Sequence, residues 1–203
     1  MDRKLLIDRL ADLEWDSFQN IKNIDGRAAC QDNRREFDIN RKSQFASWND
    51  ETLESYLQDL EAARRNARNL VWEKYARMMQ YTSPLEYHLV ADQLPELSGA
   101  ARELVEGIVE KQAAWQEELA AAYPKLLGRS RTIRSSEDTP LDSSFETYLR
   151  CELLTYSMET LERYSAHVVG CALKGLNMNR ICMEEMVMRH GYASLEAAES
   201  ALP

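Results

Sequence analysis

Two polar loops of this chain carry similar side chains: an arginine, followed a few positions later by an aspartate that a glutamine precedes in one loop and a glutamate in the other. The six residues are Arg27, Gln31 and Asp32 in the first loop, and Arg134, Glu137 and Asp138 in the second. An arginine can orient an anionic ligand, and a carboxylate in a partly dry pocket can exchange a proton when burial raises its pKa. If both loops reach one cleft from opposite sides, we expect that cleft to bind a small anionic molecule.

The predicted site combines these loops with two aromatic residues. The candidate catalytic residues are Asp32, Glu137 and Asp138, which would accept hydrogen bonds or move a proton. The candidate ligand-binding residues are Arg27, Gln31, Trp48, Arg134, Ser136 and Tyr156. The two aromatic rings would form walls of the pocket. The alternative is that each arginine pairs with a carboxylate of its own loop and ties one helix end to the next.

The second loop contains further arginines. Arg129 and Arg131 alternate with serine and threonine ahead of a helix that is expected to start near Ser143. Guanidinium groups, hydroxyls and a helix N-terminus can together bind a carboxylate or a phosphate. Arginine clusters in acidic proteins also pair with neighbouring carboxylates, and Asp142 is one such neighbour. The sequence leaves both interpretations open.

The usual patterns for metal, nucleotide and disulfide chemistry are missing from the sequence. The 3 histidines do not form E-x-x-H or H-E-x-x-H, and no G-x-x-x-x-G-K-[ST] is present. The 4 cysteines are widely spaced without a C-x-x-C pair, which is typical of reduced thiols in a cytoplasmic protein. We therefore expect no metal site, and the sequence identifies no cofactor.

The overall charge restricts the classes of partner. The chain of 203 residues has a net charge of −9, which disfavours broad binding to nucleic acid or to an anionic membrane surface. Its first segment, MDRKLLIDRLADLEWD, is interrupted by charges every few positions. Such a segment is neither a signal peptide nor a membrane span. We expect a cytoplasmic protein that binds neither nucleic acid nor membrane.

The chain contains an internal repeat at an offset of 108 residues. Residues 49–56 read NDETLESY, and residues 157–164 read SMETLERY. Aromatic and apolar positions keep this register on both sides while surface positions drift, which is typical of a duplicated packing unit. We expect a single domain, residues 1–203, built from related halves at residues 1–97 and 98–203.

Helical periodicity and capping residues predict an all-α fold of roughly eight to ten helices. Glycine and proline are scarce, at 7 and 5 residues, and the first helix is expected to end near Lys22. Residues 51–82 would form one long helix or two helices broken at 64–69. Loops are expected at 23–33 and 128–141. The expected helix caps are Asn49 or Asp50, Ser83, Ser98, Ser143, Ser157, Asn177 and Ser194.

A second functional hypothesis is a non-enzymatic helical adaptor. Methionines cluster near the end of each half, at positions 78–79 and 183–188, and methionine-rich surfaces adapt to several partner shapes. Core packing is the other explanation of these clusters. An adaptor would expose an apolar groove for a partner helix, and its polar loops would be fastened to themselves with no cavity between them. A homodimer fits either hypothesis.

Three segments of the chain resemble those of a known protein family. They are QFASWNDETLESY at 44–56, RNLVWEKYARMM at 68–79 and RSSEDTPLDSSFETYLRCEL at 134–153. Their pattern, with C-Q-D at 30–32, E-K-Y-A at 73–76 and S-S-E-D-T at 135–139, is similar to that of domain-of-unknown-function family 4125. The resemblance extends over nearly the whole chain. It implies a soluble bacterial protein and assigns no catalytic residue.

Overall fold

The computed structural model describes residues 2–21, 26–140 and 142–203, and this part of the chain contains helices and no strand. The α-helices are α1 (Arg3–Gln19), α2 (Arg34–Ala46), α3 (Asp50–Arg65), α4 (Leu70–Thr82), α5 (Pro84–Tyr87), α6 (Gly99–Ala122), α7 (Pro124–Leu127), α8 (Phe145–Leu153), α9 (Met158–Leu173), α10 (Met178–Arg189) and α11 (Leu195–Ala201). Short 3-10 helices lie at Ala29–Asp32, Ala91–Gln93 and Ser135–Glu137. The all-α prediction is confirmed.

Side-chain caps begin most of the longer helices where the sequence predicts them. The capping residues whose side chains accept a backbone N–H of the first turn include Asn49, Ser98, Ser157, Asn177 and Ser194. Each such bond satisfies a donor that the helix itself leaves without a partner. The helix starts were therefore predictable from residue type and position.

Several boundaries differ from the prediction. Ser144, one residue after the expected Ser143, caps α8, and Ser83 makes no side-chain cap although Pro84 starts α5. Of the two alternatives for residues 51–82, the broken one is observed: α3 and α4 are separate helices, and Ala67 between them turns into the left-handed region with φ at 53°. Helix α1 ends at Gln19, and the expected end near Lys22 lies outside the described residues, as do the first positions of the predicted loop 23–33.

The helices pack in two sets that are connected by cross-contacts. Helix α1 packs against α2, α3 and α4, while the long helix α6 packs against α8, α9 and α10. Three pairs join the sets: α3 with α9, α4 with α8, and α2 with α10. As a result, one large hydrophobic core contains side chains from both halves of the chain. No helix in the described ranges is both long and apolar enough to cross a membrane.

Equivalent contacts occur in the two sets. The Asn69 side chain donates to the Ser17 carbonyl oxygen at 2.7 Å, and Asn177, 108 residues later, donates to the Trp115 carbonyl oxygen at 3.1 Å. Each bond ties the start of one helix, α4 or α10, to the long helix of its own set. A duplicated unit would make such paired contacts. Common ancestry of the halves stays a prediction.

Candidate functional site

Four of the buried charged side chains form one connected network, and each of these four comes from a different helix. Glu14 of α1, Arg41 of α2, Lys74 of α4 and Glu152 of α8 are at most 8% exposed, and we name them the buried charge cluster. Moving a charge out of water is costly unless opposite charges and hydrogen bonds compensate it. The contacts of each member show how that compensation is achieved.

Arg41 connects the two carboxylates of the buried charge cluster. Its Nη2 donates to Oε1 of Glu14 at 2.6 Å, and its Nε donates to the other oxygen of that carboxylate. Its Nη1 donates to Oε1 of Glu152 at 3.1 Å and to the Gln44 side-chain oxygen at 2.5 Å. Burial alone would lower the pKa of Arg41, but Glu14 and Glu152 hold it well above its usual value. The guanidinium therefore stays charged.

Glu152 is the acceptor on which most of these contacts converge. Its Oε1 accepts from Gln44 Nε2 and from the Tyr156 hydroxyl, both at 2.9 Å, in addition to Arg41. Its Oε2 accepts from Lys74 Nζ at 3.2 Å. Burial would raise the pKa of Glu152, but Arg41 and Lys74 hold it well below its usual value. Glu152 is therefore ionised, and its oxygens already have donors.

Two tyrosines complete the set of donors to these carboxylates. The Tyr56 hydroxyl donates to Oε1 of Glu14 at 2.6 Å, and the Tyr156 hydroxyl donates to Glu152. Their ring centroids are 4.6 Å apart. Burial and the adjacent carboxylates raise the pKa of both phenols far above the usual value, so both remain protonated donors.

Lys74 also has unused hydrogen-bonding capacity. Its Nζ donates to the Tyr148 hydroxyl at 2.8 Å and to Glu152 at 3.2 Å. Burial would lower the pKa of Lys74, but Tyr148 and Glu152 hold it above its usual value. A protonated amine cannot act as a nucleophile. Of its three N–H donors, one has no acceptor in the part of the chain that the structure describes.

A cavity of about 830 Å³ lies beside the buried charge cluster, and all four members line it. Helices α2, α4, α8 and α10 supply most of its walls, and the loop before α8 contributes Arg129 and Arg131. Aromatic side chains, among them Phe37, Tyr75 and Tyr148, form part of the lining. Cavities of this size and mixed lining bind small organic molecules.

Neutral amides form another part of the cavity wall. Gln112 donates to the Tyr164 hydroxyl at 2.6 Å, and Asn179 donates to the Gln116 side-chain oxygen at 2.9 Å. The Gln116 amide nitrogen makes no hydrogen bond to any residue that the structure describes. This side of the cavity therefore presents a further unused donor.

Beside the buried charge cluster, the unused hydrogen-bonding capacity of the cavity consists of donors, whereas the exposed Glu36 and Asp142 in its lining each keep a carboxylate oxygen without a donor among the described residues. Glu14 and Glu152 accept from arginine, tyrosine, glutamine and lysine, as described above. By contrast, Lys74 and Gln116 each keep an N–H, and Arg129 has no hydrogen bond or ion pair among the described residues. Because Lys74 can only donate, the Tyr148 oxygen accepts its bond, and the Tyr148 hydroxyl also contacts Tyr75. The lining beside the buried charge cluster therefore suits a ligand with acceptor oxygens.

The first predicted loop is fastened to itself and to α1. Arg27 Nε donates to Asp32 Oδ1 at 2.8 Å, and its Nη2 donates to the Gln31 carbonyl oxygen at 2.8 Å and to the Gln19 side chain. The buried Gln31 side chain donates to the carbonyl oxygens of Phe18 and of Ile21, at 2.9 and 3.1 Å. The Arg27–Asp32 pair is the arrangement that the staple alternative predicts.

The second predicted loop is fastened mainly to helices. Arg134 pairs with two carboxylates of α6, Glu117 at 2.6 Å and Glu110 at 3.1 Å, rather than with a carboxylate of its own loop. The Glu137 side chain accepts the Arg134 backbone N–H at 3.3 Å. Asp138 accepts the Ser144 backbone N–H at 2.5 Å, at the start of α8. Ser136 is exposed.

The structure places the predicted site residues in three locations. The described residues make no hydrogen bond or ion pair between the two loops. Trp48 is packed in the core at 2% exposure, while Tyr156 belongs to the network around Glu152. None of the nine predicted residues is among those that line the 830 Å³ cavity. Their catalytic and ligand-binding roles stay predictions.

The loop hypothesis missed the four members of the buried charge cluster. The sequence did carry a signal for them, and Lys74, in the E-K-Y-A segment at 73–76, is an example. A charged residue within a helical stretch of aromatic and aliphatic residues is expected on the buried face. The loop hypothesis depended instead on residue types that repeat in the two polar loops.

Comparison with known proteins identifies a family and no annotated relative. A family model described as "Protein of unknown function (DUF4125)" matches residues 4–200. No curated protein and no solved structure matches the chain. The function therefore has to be inferred from the geometry of the cavity.

Proposed function

The chain belongs to the DUF4125 family, and because that description assigns no activity, we propose from the cavity that the protein binds a small organic anion. The ligand would enter between α2, α4, α8 and α10 and place an acidic group against Lys74 and the Tyr148 hydroxyl. This proposal keeps the anionic ligand predicted from the sequence but moves its binding site from the two loops to the cavity.

The observation that carries the proposal is the unused N–H of Lys74. The Lys74 side chain is only 8% exposed, and it lines the cavity beside the Tyr148 hydroxyl. A buried donor without an acceptor is costly, and an anionic oxygen from a ligand would remove that cost. In a low-dielectric cavity, the resulting hydrogen bond is stronger than in water.

The energetic character of the buried charge cluster agrees with a functional role. Well-packed apolar side chains often stabilise a core as well as a buried ion pair of similar volume does. Four charged residues in one core are therefore not needed for stability alone. Perturbed ionisable groups beside a cavity are a recognised feature of binding and active sites.

The arrangement supports binding more directly than acid–base catalysis. Each oxygen of Glu14 and Glu152 already accepts at least one hydrogen bond, so neither carboxylate is a free base. Lys74 and Tyr56 both remain protonated, for the reasons given above. The groups that can still act on a ligand are donors, which would hold an acidic group or stabilise a developing negative charge.

The proposal is tested by asking which anions the purified protein retains or binds. Native mass spectrometry would detect a retained molecule, and thermal unfolding with acetate, succinate, citrate and inorganic phosphate would detect binding. We expect at least one of these anions to raise the melting temperature of the parent and of Lys74→Arg, but not of Lys74→Met. Arg163→Met removes an exposed arginine on α9 that pairs with Glu159, and it should behave as the parent.

A negative result has a defined meaning. If no small molecule is retained and none of the four anions shifts the melting temperature of the parent, the binding proposal is wrong. If Lys74→Met responds as the parent does, the anion binds elsewhere.

A second candidate function, the adaptor, has one observation in its favour. Val169 and Leu173, near the C-terminal end of α9, are 53% and 85% exposed, and Leu176, beyond that end, is 46% exposed. The spacing of Val169 and Leu173 places them on one side of α9, as in a contact for a partner helix. Sedimentation of the parent and of Leu173→Asp over a range of concentrations tests self-association. Identical monomeric behaviour of both proteins would exclude a homodimer through this stripe.

A further inference from the structure

Two cationic groups lie close to the Tyr148 ring at the cavity. Lys74 Nζ lies 4.2 Å from the centroid of the Tyr148 ring, and Arg131 Cζ lies 4.8 Å from the same centroid. The two cationic centres can therefore be no more than about 9 Å apart. All three residues line the cavity. A single small molecule is long enough to touch both cations.

Arg131 is anchored in a way that leaves one edge of its guanidinium unused. Its hydrogen bonds to Asp142 Oδ1 at 3.0 Å, to the Ser143 carbonyl oxygen at 3.0 Å and to Ser143 Oγ at 3.2 Å all come from Nη1. Its Nε and Nη2 make no hydrogen bond to the described residues. The anchor fixes the position of the group, while the free edge has the geometry that binds a carboxylate or a phosphate in two-point fashion.

Arg129 adds a second cation on the same loop. It lines the cavity and is exposed, and no ion pair holds it to any residue in the described ranges. The loop thus supplies one positioned guanidinium, Arg131, and one unpaired guanidinium, Arg129, and both line the same cavity as Lys74. The Arg131 guanidinium offers a second anion-binding position within about 9 Å of Lys74 Nζ.

We propose that the ligand carries two acidic groups joined by a short spacer, an inference that rests on the proposed function. One group would be bound by Lys74 and the Tyr148 hydroxyl. The other would be bound by the free edge of Arg131, with Arg129 beside it, and the spacer would lie against the Tyr148 ring. A dicarboxylate is the simplest member of this class, and a phosphorylated carboxylate has the same two-point chemistry.

The test compares ligands of matched length with one and with two acidic groups. Isothermal titration would measure the affinity of the parent protein for butyrate and for three dicarboxylates, succinate, glutarate and adipate. We expect the best dicarboxylate to bind roughly tenfold or more tightly than butyrate, because a second charge-assisted contact forms. We expect the affinity to be highest at one spacer length in the dicarboxylate series, since the two cationic positions are fixed.

Variants assign the two ends of the ligand. Arg131→Gln should weaken the dicarboxylate to about the affinity of butyrate and leave butyrate itself unchanged, whereas Lys74→Met should weaken both. Arg129→Gln serves as the second variant because Arg129 holds no structural contact that its loss could disturb. Arg163→Gln, the exposed control on α9, should bind all four compounds as the parent does. Thermal unfolding without ligand confirms that each variant is folded.

The outcomes separate this inference from the proposed function. If butyrate and the dicarboxylates bind equally well, or if both Arg131→Gln and Arg129→Gln bind dicarboxylates as the parent does, the two-group inference is overturned while anion binding stands. If none of the four compounds binds the parent, the two-group inference is overturned as well. In that case the proposed function stands if citrate or phosphate raises the melting temperature of the parent, and it is wrong if neither does and no small molecule is retained.

Discussion

The guanidinium of Arg41 hydrogen-bonds to Glu14 in its own half of the chain and to Glu152, 111 residues away, in the other. This side chain therefore links α1, α2 and α8 through charged contacts inside the core. The same carboxylate of Glu152 reaches Lys74 on α4. Four helices thus depend on one another through a single electrostatic network.

Removal of Arg41 should be strongly destabilising. Arg41→Leu would leave Glu14 and part of the charge of Glu152 buried without compensation, and we expect it to cost about 3–5 kcal/mol of unfolding free energy. The further substitution Glu14→Leu removes the uncompensated carboxylate and should restore part of that loss. Urea unfolding measures both changes, with Arg163→Leu as an exposed control expected to stay within about 0.5 kcal/mol of the parent. If Arg41→Leu alone is as stable as the parent, the network does not contribute to stability in the way proposed.

Glu152 should make stability depend on pH in the acidic range. Its pKa is lower in the folded chain than its ordinary value of 4.5, so its contribution is fully present above the unfolded pKa. That contribution is lost as the pH falls towards the folded pKa. Between roughly pH 5 and pH 3, we expect the parent to lose more stability than Glu152→Gln, which has no proton to bind at this position. If the unfolding free energies of the parent and of Glu152→Gln, measured with urea at each pH, fall in parallel, Glu152 is not the titrating group.

The fold could be predicted from the sequence because its signals are local. Capping residues such as Asn49, Ser98 and Ser157 mark helix starts within one turn, and their side chains make the expected bonds. The break between α3 and α4 was left open, because a left-handed Ala67 has no clear sequence signature. The choice between one helix and two depends on how α4 packs against α1 and α8, which is a tertiary matter.

The buried charge cluster had a sequence signal that residue type alone does not reveal. Each of its members is flanked four positions before and four positions after by an aromatic or aliphatic residue. The four sets are Leu10-Glu14-Phe18, Phe37-Arg41-Phe45, Leu70-Lys74-Met78 and Tyr148-Glu152-Tyr156. This spacing places a charge on the buried face of a helix. Which of the four charges meet could not be predicted, because that depends on the way the helices of the two halves converge.

The polar loops led to a different hypothesis for a physical reason. Loop carboxylates and arginines must satisfy the free N–H and C=O groups at helix ends, and they do so in any helical protein. Asp138 at the start of α8 and Gln31 beside the end of α1 are examples. Repetition of such residues in both halves therefore follows from repeated helix ends as readily as from a shared site.

The four cysteines should differ sharply in reactivity. Cys30 is exposed, whereas Cys151 is buried, and burial raises the pKa of Cys151 and of Cys182 to about 12. Burial also raises the pKa of Cys171, which is buried too. Because the thiolate is the reactive form, we expect one thiol of the native protein to react quickly with a disulfide reagent at pH 8. Cys30→Ser should abolish this fast phase, and a remaining fast thiol would contradict the raised pKa values of the other three.

The loop hypothesis and the cavity proposal make opposite predictions for Arg27 and Arg134. Both arginines pair with carboxylates away from the cavity lining, Arg27 with Asp32 and Arg134 with Glu117. If the cavity is the site, Arg27→Ala and Arg134→Ala should bind succinate with the parental affinity, while Lys74→Met should lose roughly tenfold or more. If the loops are the site, the first two variants should lose binding and Lys74→Met should keep it. Isothermal titration of the three variants, each first shown to be folded by circular dichroism, therefore decides between the two locations.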